Sequence, residues 1–274
     1  MRAEEHERRL VLTADDLGRD PAGTAVIIAL VQEGLISAAT LLTVTEESPR
    51  AAARLREAGL TPRLHLTLMG EADLPPWRPL SDGASLRERD GALTTDPRRL
   101  ARELDLDEAV EEFDAQLVWM RERGLEPGAA DFHTTALYHL RSGALLEPTL
   151  RWCARHGLGF RLPRRTDPFP GTDALPVAAR GVHSGAVHLA DALGVPLPAA
   201  LLSHHGTAPS VDALRTALTS GLALLPPGTS ELVMHPSAAG AGVPAVRERE
   251  TQLLRDGQWW EALRDAGIRQ AAHW

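Results

Sequence analysis

The 274-residue chain has no lysine, no asparagine and only one cysteine. Nor does any apolar run approach the ~18 residues of a membrane-spanning helix, so no membrane partner is expected. Without lysine, all 29 cationic side chains are arginine, set against 37 acidic residues for a net charge of −8. The joint lack of lysine and asparagine reads as a base-composition bias of the source genome rather than a functional signal. An acidic chain lacks the electrostatic footprint of a general nucleic-acid binder, which gains affinity by neutralising phosphates, so nucleic acid is excluded as an expected partner. Cys153 alone cannot close an internal disulfide and leaves the redox compartment unconstrained. The opening MRAEEHERRLVLTADD mixes Glu and Arg ahead of a short apolar run, which is the pattern of neither a signal peptide nor an anchor. A cytoplasmic location is the expectation.

With 43% hydrophobic and 24% charged residues, the chain can bury a sizeable core, and disorder is excluded. Short apolar runs alternate with helical patterns from end to end. Leu10 to Ala14, Ala38 to Val44, Leu64 to Thr67, Ala129 to His133, Leu158 to Leu162, Glu231 to His235 and a segment near Ile268 read as strands. Helical spacing marks Ala25 to Glu33, a helix opened by Ser48-Pro49, Asp107 to Arg123, about Leu146 to Arg155, about Val211 to Leu224, and about Val246 to Ala266. Residues 163–205 are ambiguous. From about 70 to 97 the chain is rich in Pro, Gly, Asp and Ser, predicting a long loop of the kind that serves as a lid or binding segment. Such alternation implies α/β architecture with a parallel sheet, and its length suits a TIM-like (β/α) barrel forming one domain over residues 1–274.

The metal-competent side chains fall at the predicted carboxyl ends of strands, the face on which barrel active sites assemble. Asp15 and Asp16 end the first strand. Two adjacent carboxylates there repel each other, and at least one pKa should rise unless a cation is present. A divalent ion resolves the conflict if one carboxylate binds it and the other deprotonates the water it activates; taken alone, the pair is better explained as a solvated helix N-cap. His65 stands isolated in an apolar strand, as a hydrogen-bonded core histidine or as a ligand. Asp131-Phe132-His133 repeats carboxylate and imidazole chemistry at another strand end. One Asp with two His forms an open site for a catalytic divalent metal, and two imidazoles favour zinc or another transition ion over calcium. His235, just before Pro236, suits general acid work or a structural strand cap.

Other signals carry less weight. His204-His205-Gly206 reads as loop. Cys153 with His156 lacks a third orienting group and reads as a packing thiol. Gly240-Ala241-Gly242 is too short for a phosphate cradle, Gly181 to Gly185 is out of phase for a nucleophile elbow, and Trp259-Trp260 reads as helix packing rather than a sugar platform.

Taken together, Ala14-Asp15-Asp16-Leu17-Gly18, Gly34-Leu35-Ile36-Ser37, Leu64-His65-Leu66-Thr67-Leu68, Arg78-Pro79-Leu80, Glu112 to Gln116, Asp131-Phe132-His133 and Glu231 to Pro236 follow one another in an order that resembles the YdjC-like, or ChbG-type, carbohydrate deacetylases. The resemblance implies a distorted (β/α) barrel, often dimeric, that hydrolyses the N-acetyl group of an amino sugar. It implies one divalent metal ion, zinc favoured and magnesium the alternative, on Asp16, His65 and His133. Asp15 would be the general base and His235 the general acid, with Arg161 orienting the base or binding substrate. The chain departs from the family after Asp131-Phe132-His133: further alternating histidines are replaced by Thr135 and Leu137, and His139 comes later. That departure bears on substrate identity. A non-catalytic carbohydrate-binding relative and a metal hydrolase of a different amide are the competing expectations, and Asp15 argues against the first, because a pure binder needs no base beside its metal.

Overall fold

A computed structural model of the chain describes residues 7–166, 176–204, 208–240 and 243–274. The chain alternates strand and helix, beginning with β1 (Arg8–Leu17), α1 (Pro21–Gln32), β2 (Ala38–Leu41), α2 (Ser48–Glu57) and β3 (Arg63–Leu66). A long connection leads to α3 (Pro97–Glu103) and α4 (Leu106–Arg121), followed by β4 (Ala129–Phe132), the single turn α5 (Thr135–Tyr138), α6 (Leu146–His156) and β5 (Gly159–Phe160). The last third holds α7 (Val177–Leu193), β6 (Leu201–Leu202), α8 (Val211–Leu222), β7 (Gly228–Met234), α9 (Ala245–Leu254), α10 (Gly257–Asp265) and β8 (Ile268–Gln270). Local chemistry sets many of the boundaries. Asp20 caps α1 by accepting from Gly23 N with Pro21 in the first turn, Asp105 caps α4, and Ser210 caps α8.

Among the described residues the strands form one parallel sheet in the order β5-β4-β3-β2-β1-β7-β6. β8 pairs with Arg8–Leu10 of β1, while β2 takes over further along the same strand, at Thr13 to Leu17. The sheet curls, and the edge strands β5 and β6 are joined by irregular backbone rather than a ladder: Phe160 N donates to Pro196 O, Arg164 N to Pro198 O and Arg165 N to Ala199 O. This is the expected α/β barrel, distorted at that seam.

Two-residue alternation explains what the barrel contains. On β1, Leu10, Leu12 and Ala14 turn outward and join the apolar core beneath the helices, as do Leu64 and Leu66 of β3, Ala130 and Phe132 of β4, and Leu232 and Met234 of β7. Their neighbours turn inward, and most are polar: Thr13, Asp15, Arg63, His65, Asp131 and Glu231, all buried. The interior is therefore a charged network instead of the layers of branched side chains usual in such barrels. Glu231 organises its lower part, accepting from Thr13 Oγ1 at 2.7 Å, Arg63 at 2.6 Å and Arg161 at 2.9 Å on Oε1, and from Trp274 Nε1 at 2.6 Å on Oε2. The Trp274 ring lies 4.2 Å from the Arg63 guanidinium, and a Cβ on Gly159 would run into that ring. An aromatic plug closes the amino-terminal end of the sheet.

Several elements depart from expectation. β1 extends well beyond Leu10 to Ala14, and α3 forms over Pro97–Glu103, where no helix was expected. The ambiguous stretch 163–205 contains α7, hidden because Gly181 and Gly185 interrupt its helical pattern with poor helix formers. The loop from about 70 to 97 is present and is pinned from below. Glu112 of α4 accepts from Leu80 N and Ser81 N, and Gln116 exchanges hydrogen bonds with the backbone of Thr67. No helix among the described residues is long and apolar enough to cross a membrane.

Candidate active site and metal centre

Asp15 and Asp16 should point to opposite faces of a regular strand. They do not, because the β1–β2 register slips between Ala14 and Leu17 and Asp16 adopts φ +67°, the left-handed region a non-glycine residue rarely enters. Strain of this kind costs on the order of 1–3 kcal/mol and here swings the second carboxylate back over the mouth of the barrel. Both carboxylates thus serve one site.

Asp16 Oδ1 faces His133 Nδ1 at 3.2 Å and His65 Nε2 at 3.4 Å. All three atoms are buried and none has a hydrogen-bond partner, since the approach lacks the required alignment. One ligand atom from each of these residues lies within 4.8 Å of the others. Three orphaned, convergent donor atoms of this type fit a divalent ion, and a buried polar group left unpaired is otherwise expensive. The remaining ring nitrogens face carboxylates. His65 Nδ1 lies 3.0 Å from Asp131 Oδ1, and His133 Nε2 lies 3.4 Å from Glu71 Oε1, the arrangement that fixes ring orientation in metal-binding histidines.

The electrostatics agree with this geometry. Burial opposes a charge on His65, but Asp131, Asp16 and Asp15 outweigh it and lift its pKa to about 10. His133 is likewise buried and raised, by Asp16 and Glu71. Burial also works against ionised Asp16, yet His133, His65 and His235 hold it well below the usual carboxylate range. The site demands positive charge.

Asp15 lies on the other side of this cluster. It accepts from Arg161 Nη1 at 2.7 Å and Nη2 at 2.9 Å, and from Thr40 Oγ1 at 3.0 Å. Against the cost of burial, Arg161, His65 and His235 lower its pKa to about 2. The repulsion anticipated between the paired carboxylates therefore raises neither pKa: Arg161 relieves Asp15, and Arg247, 2.8 Å from Asp16 Oδ2, contributes a second cation. Arg161, expected among the substrate contacts, has all three guanidinium nitrogens on carboxylates, those of Asp15, Asp131 and Glu231. His235 follows β7 and is the most exposed of the predicted site residues, with Nε2 4.0 Å from Asp15 Oδ2 and its backbone N–H fixed by Glu250.

Asp15, His133, Arg161 and His235 line one side of a cavity of about 690 Å³. Thr135 and His139 line it too, whereas Leu137 is buried in the apolar core, so only one of the two replaced histidine positions faces the cavity, and His139 restores an imidazole to it. Sequence reasoning missed Glu71, Arg247 and Glu250. Glu71 sits in the Pro/Gly-rich loop, where it pairs with Arg19 and where Trp77 packs against His133; nothing local distinguishes it from a solvated loop acid. Of the discounted motifs, Cys153 and Trp259 are buried, His156 pairs with Asp114, Gly181 to Gly185 lies inside α7, and His204 meets Glu250 at 2.6 Å. His205, Gly206, Ala241 and Gly242 fall outside the described residues.

Comparison with known proteins bears on the fold and the family. A candidate cellobiose-phosphate cleavage protein of Enterococcus faecalis V583 superposes with a TM-score of 0.76 at 21% identity, with 97% of each chain covered. An uncharacterised Agrobacterium tumefaciens C58 protein gives 0.57 at 14% identity over 96% of this chain and 87% of that one. The Bc1960 peptidoglycan N-acetylglucosamine deacetylase gives 0.52 at 15% identity, over 97% and 86%. At such identities these likenesses establish the fold. No curated protein matches the sequence. The model of the YdjC-like protein family matches residues 9–265, nearly the whole chain, and the protein belongs to that family.

Proposed function

We propose that this protein is a metal-dependent hydrolase that removes the N-acetyl group from an amino sugar or short glycan. Asp16, His65 and His133 would hold one divalent ion, and the observation that carries this reading is the convergence of their three unpartnered, buried ligand atoms. Two imidazoles favour zinc, with magnesium the alternative. When bound, such an ion supplies Lewis-acid polarisation of the amide carbonyl and acidifies water.

The chain's own residues account for the proton movements. Asp15, ionised and aimed by Arg161, accepts the proton of the attacking water. His235 reaches the cavity from the carboxyl end of the neighbouring strand β7 and donates a proton to the departing amine, so that amide and water become amine and acetate. Arg161 holds the base and leaves substrate contact to other groups. The sugar would occupy the cavity these residues share with His139 and Arg247. The glycan deacetylase with the same fold supports the substrate class, and membership in the YdjC-like family supports the chemistry.

The test is acetate release from N-acetylated mono- and disaccharides by protein purified without chelator. Release that chelation abolishes and added metal restores supports the reading; metal-loaded protein that releases no acetate from any of them contradicts it.

A further inference from the structure

Beyond the predicted catalytic groups the same cavity changes character. Its lining also includes Leu146 at the start of α6, Leu162 after β5, Ala179 and Val182 on α7, and Val246 on α9. Large apolar side chains are seldom exposed in the described residues, and two of the five, Val177 and Val182, belong to α7. At about 690 Å³ the cavity lies well within the ~300–1,000 Å³ of sites that enclose a whole drug-sized ligand, and an acetamido group alone leaves most of it empty.

Polar groups interrupt this lining, among them His139, Ser142, Thr166 and His183, and of these His183 has an orphaned ring nitrogen. His183 is 9% exposed, lines the cavity, and its Nε2 has no hydrogen-bond partner. Burial and the neighbouring His139 both lower its pKa, which keeps the ring neutral near pH 7. The charged residues that share the cavity are already paired: Arg161 with carboxylates, Arg247 with Asp16, and Glu250 with His204 and the His235 backbone. Among the described residues an ionic substituent would find no free counter-charge there, whereas an apolar one finds apolar side chains and a neutral oxygen finds the orphaned nitrogen of His183.

We propose that this part of the cavity binds an uncharged, apolar substituent of the amino-sugar substrate, with His183 making one hydrogen bond to a neutral oxygen at its base. The proposal rests on the deacetylase reading, because the apolar lining is continuous with the reacting site and its occupant is part of the same molecule. Two placements share this chemistry: an alkyl aglycone, or an acyl chain longer than acetyl.

The experiment compares kcat/KM of the metal-loaded enzyme in two series. One is the methyl, butyl and hexyl β-glycosides of N-acetylglucosamine; the other is N-acetyl-, N-butyryl- and N-hexanoylglucosamine. In one series kcat/KM rises about fourfold per buried methylene until the apolar lining is covered, and which series rises identifies the placement. Val182→Asp, at an exposed position on the cavity lining, reduces the ratio of the longest to the shortest member of that series, whereas His183→Ala lowers kcat/KM for every member of it by a similar factor and leaves the ratio unchanged. Measurable hydrolysis with both series flat or falling overturns the proposal and leaves the deacetylase standing. Metal-loaded protein that hydrolyses no member of either series overturns both.

Discussion

Arg161 grips Asp15 through two parallel hydrogen bonds, Nη1 to Oδ2 at 2.7 Å and Nη2 to Oδ1 at 2.9 Å, inside a barrel that excludes solvent from both. This fork fixes the orientation of the carboxylate and keeps it ionised, while leaving it beside the Asp16, His65 and His133 cluster. The base position and the ligand position, adjacent in sequence, are thus chemically distinct: both Asp15 oxygens are held by Arg161, whereas Asp16 pairs with Arg247 through Oδ2 and turns Oδ1 to the unpartnered imidazole nitrogens of His65 and His133.

That distinction makes Asp15→Asn informative. The amide keeps the shape and can still accept from Arg161, but it cannot take a proton. Turnover should fall by about 10²–10⁴-fold while metal affinity changes little, measured by acetate release alongside titration of the metal.

Removing the other partner is a stability experiment. Arg161→Met leaves Asp15, Asp131 and Glu231 buried without their shared cation, and breaking a buried pair of this kind costs about 3–5 kcal/mol. Urea denaturation should show a lower midpoint with little change in slope.

The same network sets an acid limit. The folded-state pKa of Asp15 is depressed to about 2, and that of Glu231 is lowered as Arg161 and Arg63 outweigh burial. Depressed carboxylates stabilise the fold above their unfolded pKa values of about 4, and that stabilisation drains away as pH falls towards the folded values. For Asp15 it amounts to on the order of 2 kcal/mol. Denaturation midpoints should therefore decline between about pH 4.5 and 2, and Glu231→Gln, though less stable at neutral pH, should show a shallower decline.

Glu71 provides a prediction that depends on the loop. Its carboxylate faces His133 Nε2 and is held by Arg19, so Glu71→Gln should weaken metal binding about 10–100-fold through the orientation and basicity of the imidazole. Competition with a chromophoric chelator measures this directly, without reference to catalysis.

How much of this was legible in the sequence follows from which forces act locally. Strand periodicity and strand ends placed Asp15, Asp16, His65, His133, Arg161 and His235 at one mouth, because a parallel barrel brings all carboxyl ends of its strands together. The polar barrel interior was hidden. Arg63 and Glu231 look like ordinary strand residues until the alternating register points both inward onto one another and onto Trp274 at the far end of the chain. The αL turn at Asp16 was equally invisible, since no glycine announces it. Glu71, Arg247 and Glu250 act across distances in sequence that no local pattern encodes, and α7 carried glycines that masked its helical spacing.

The most direct measurement is metal stoichiometry on wild-type protein and on His133→Ala, purified without chelator and reconstituted with zinc or magnesium. One divalent ion per chain in the wild type, with affinity lost in the variant and acetate release lost with it, is the predicted result. Equal metal content in both proteins, or none in either after reconstitution, would contradict the assignment of Asp16, His65 and His133 as the metal centre.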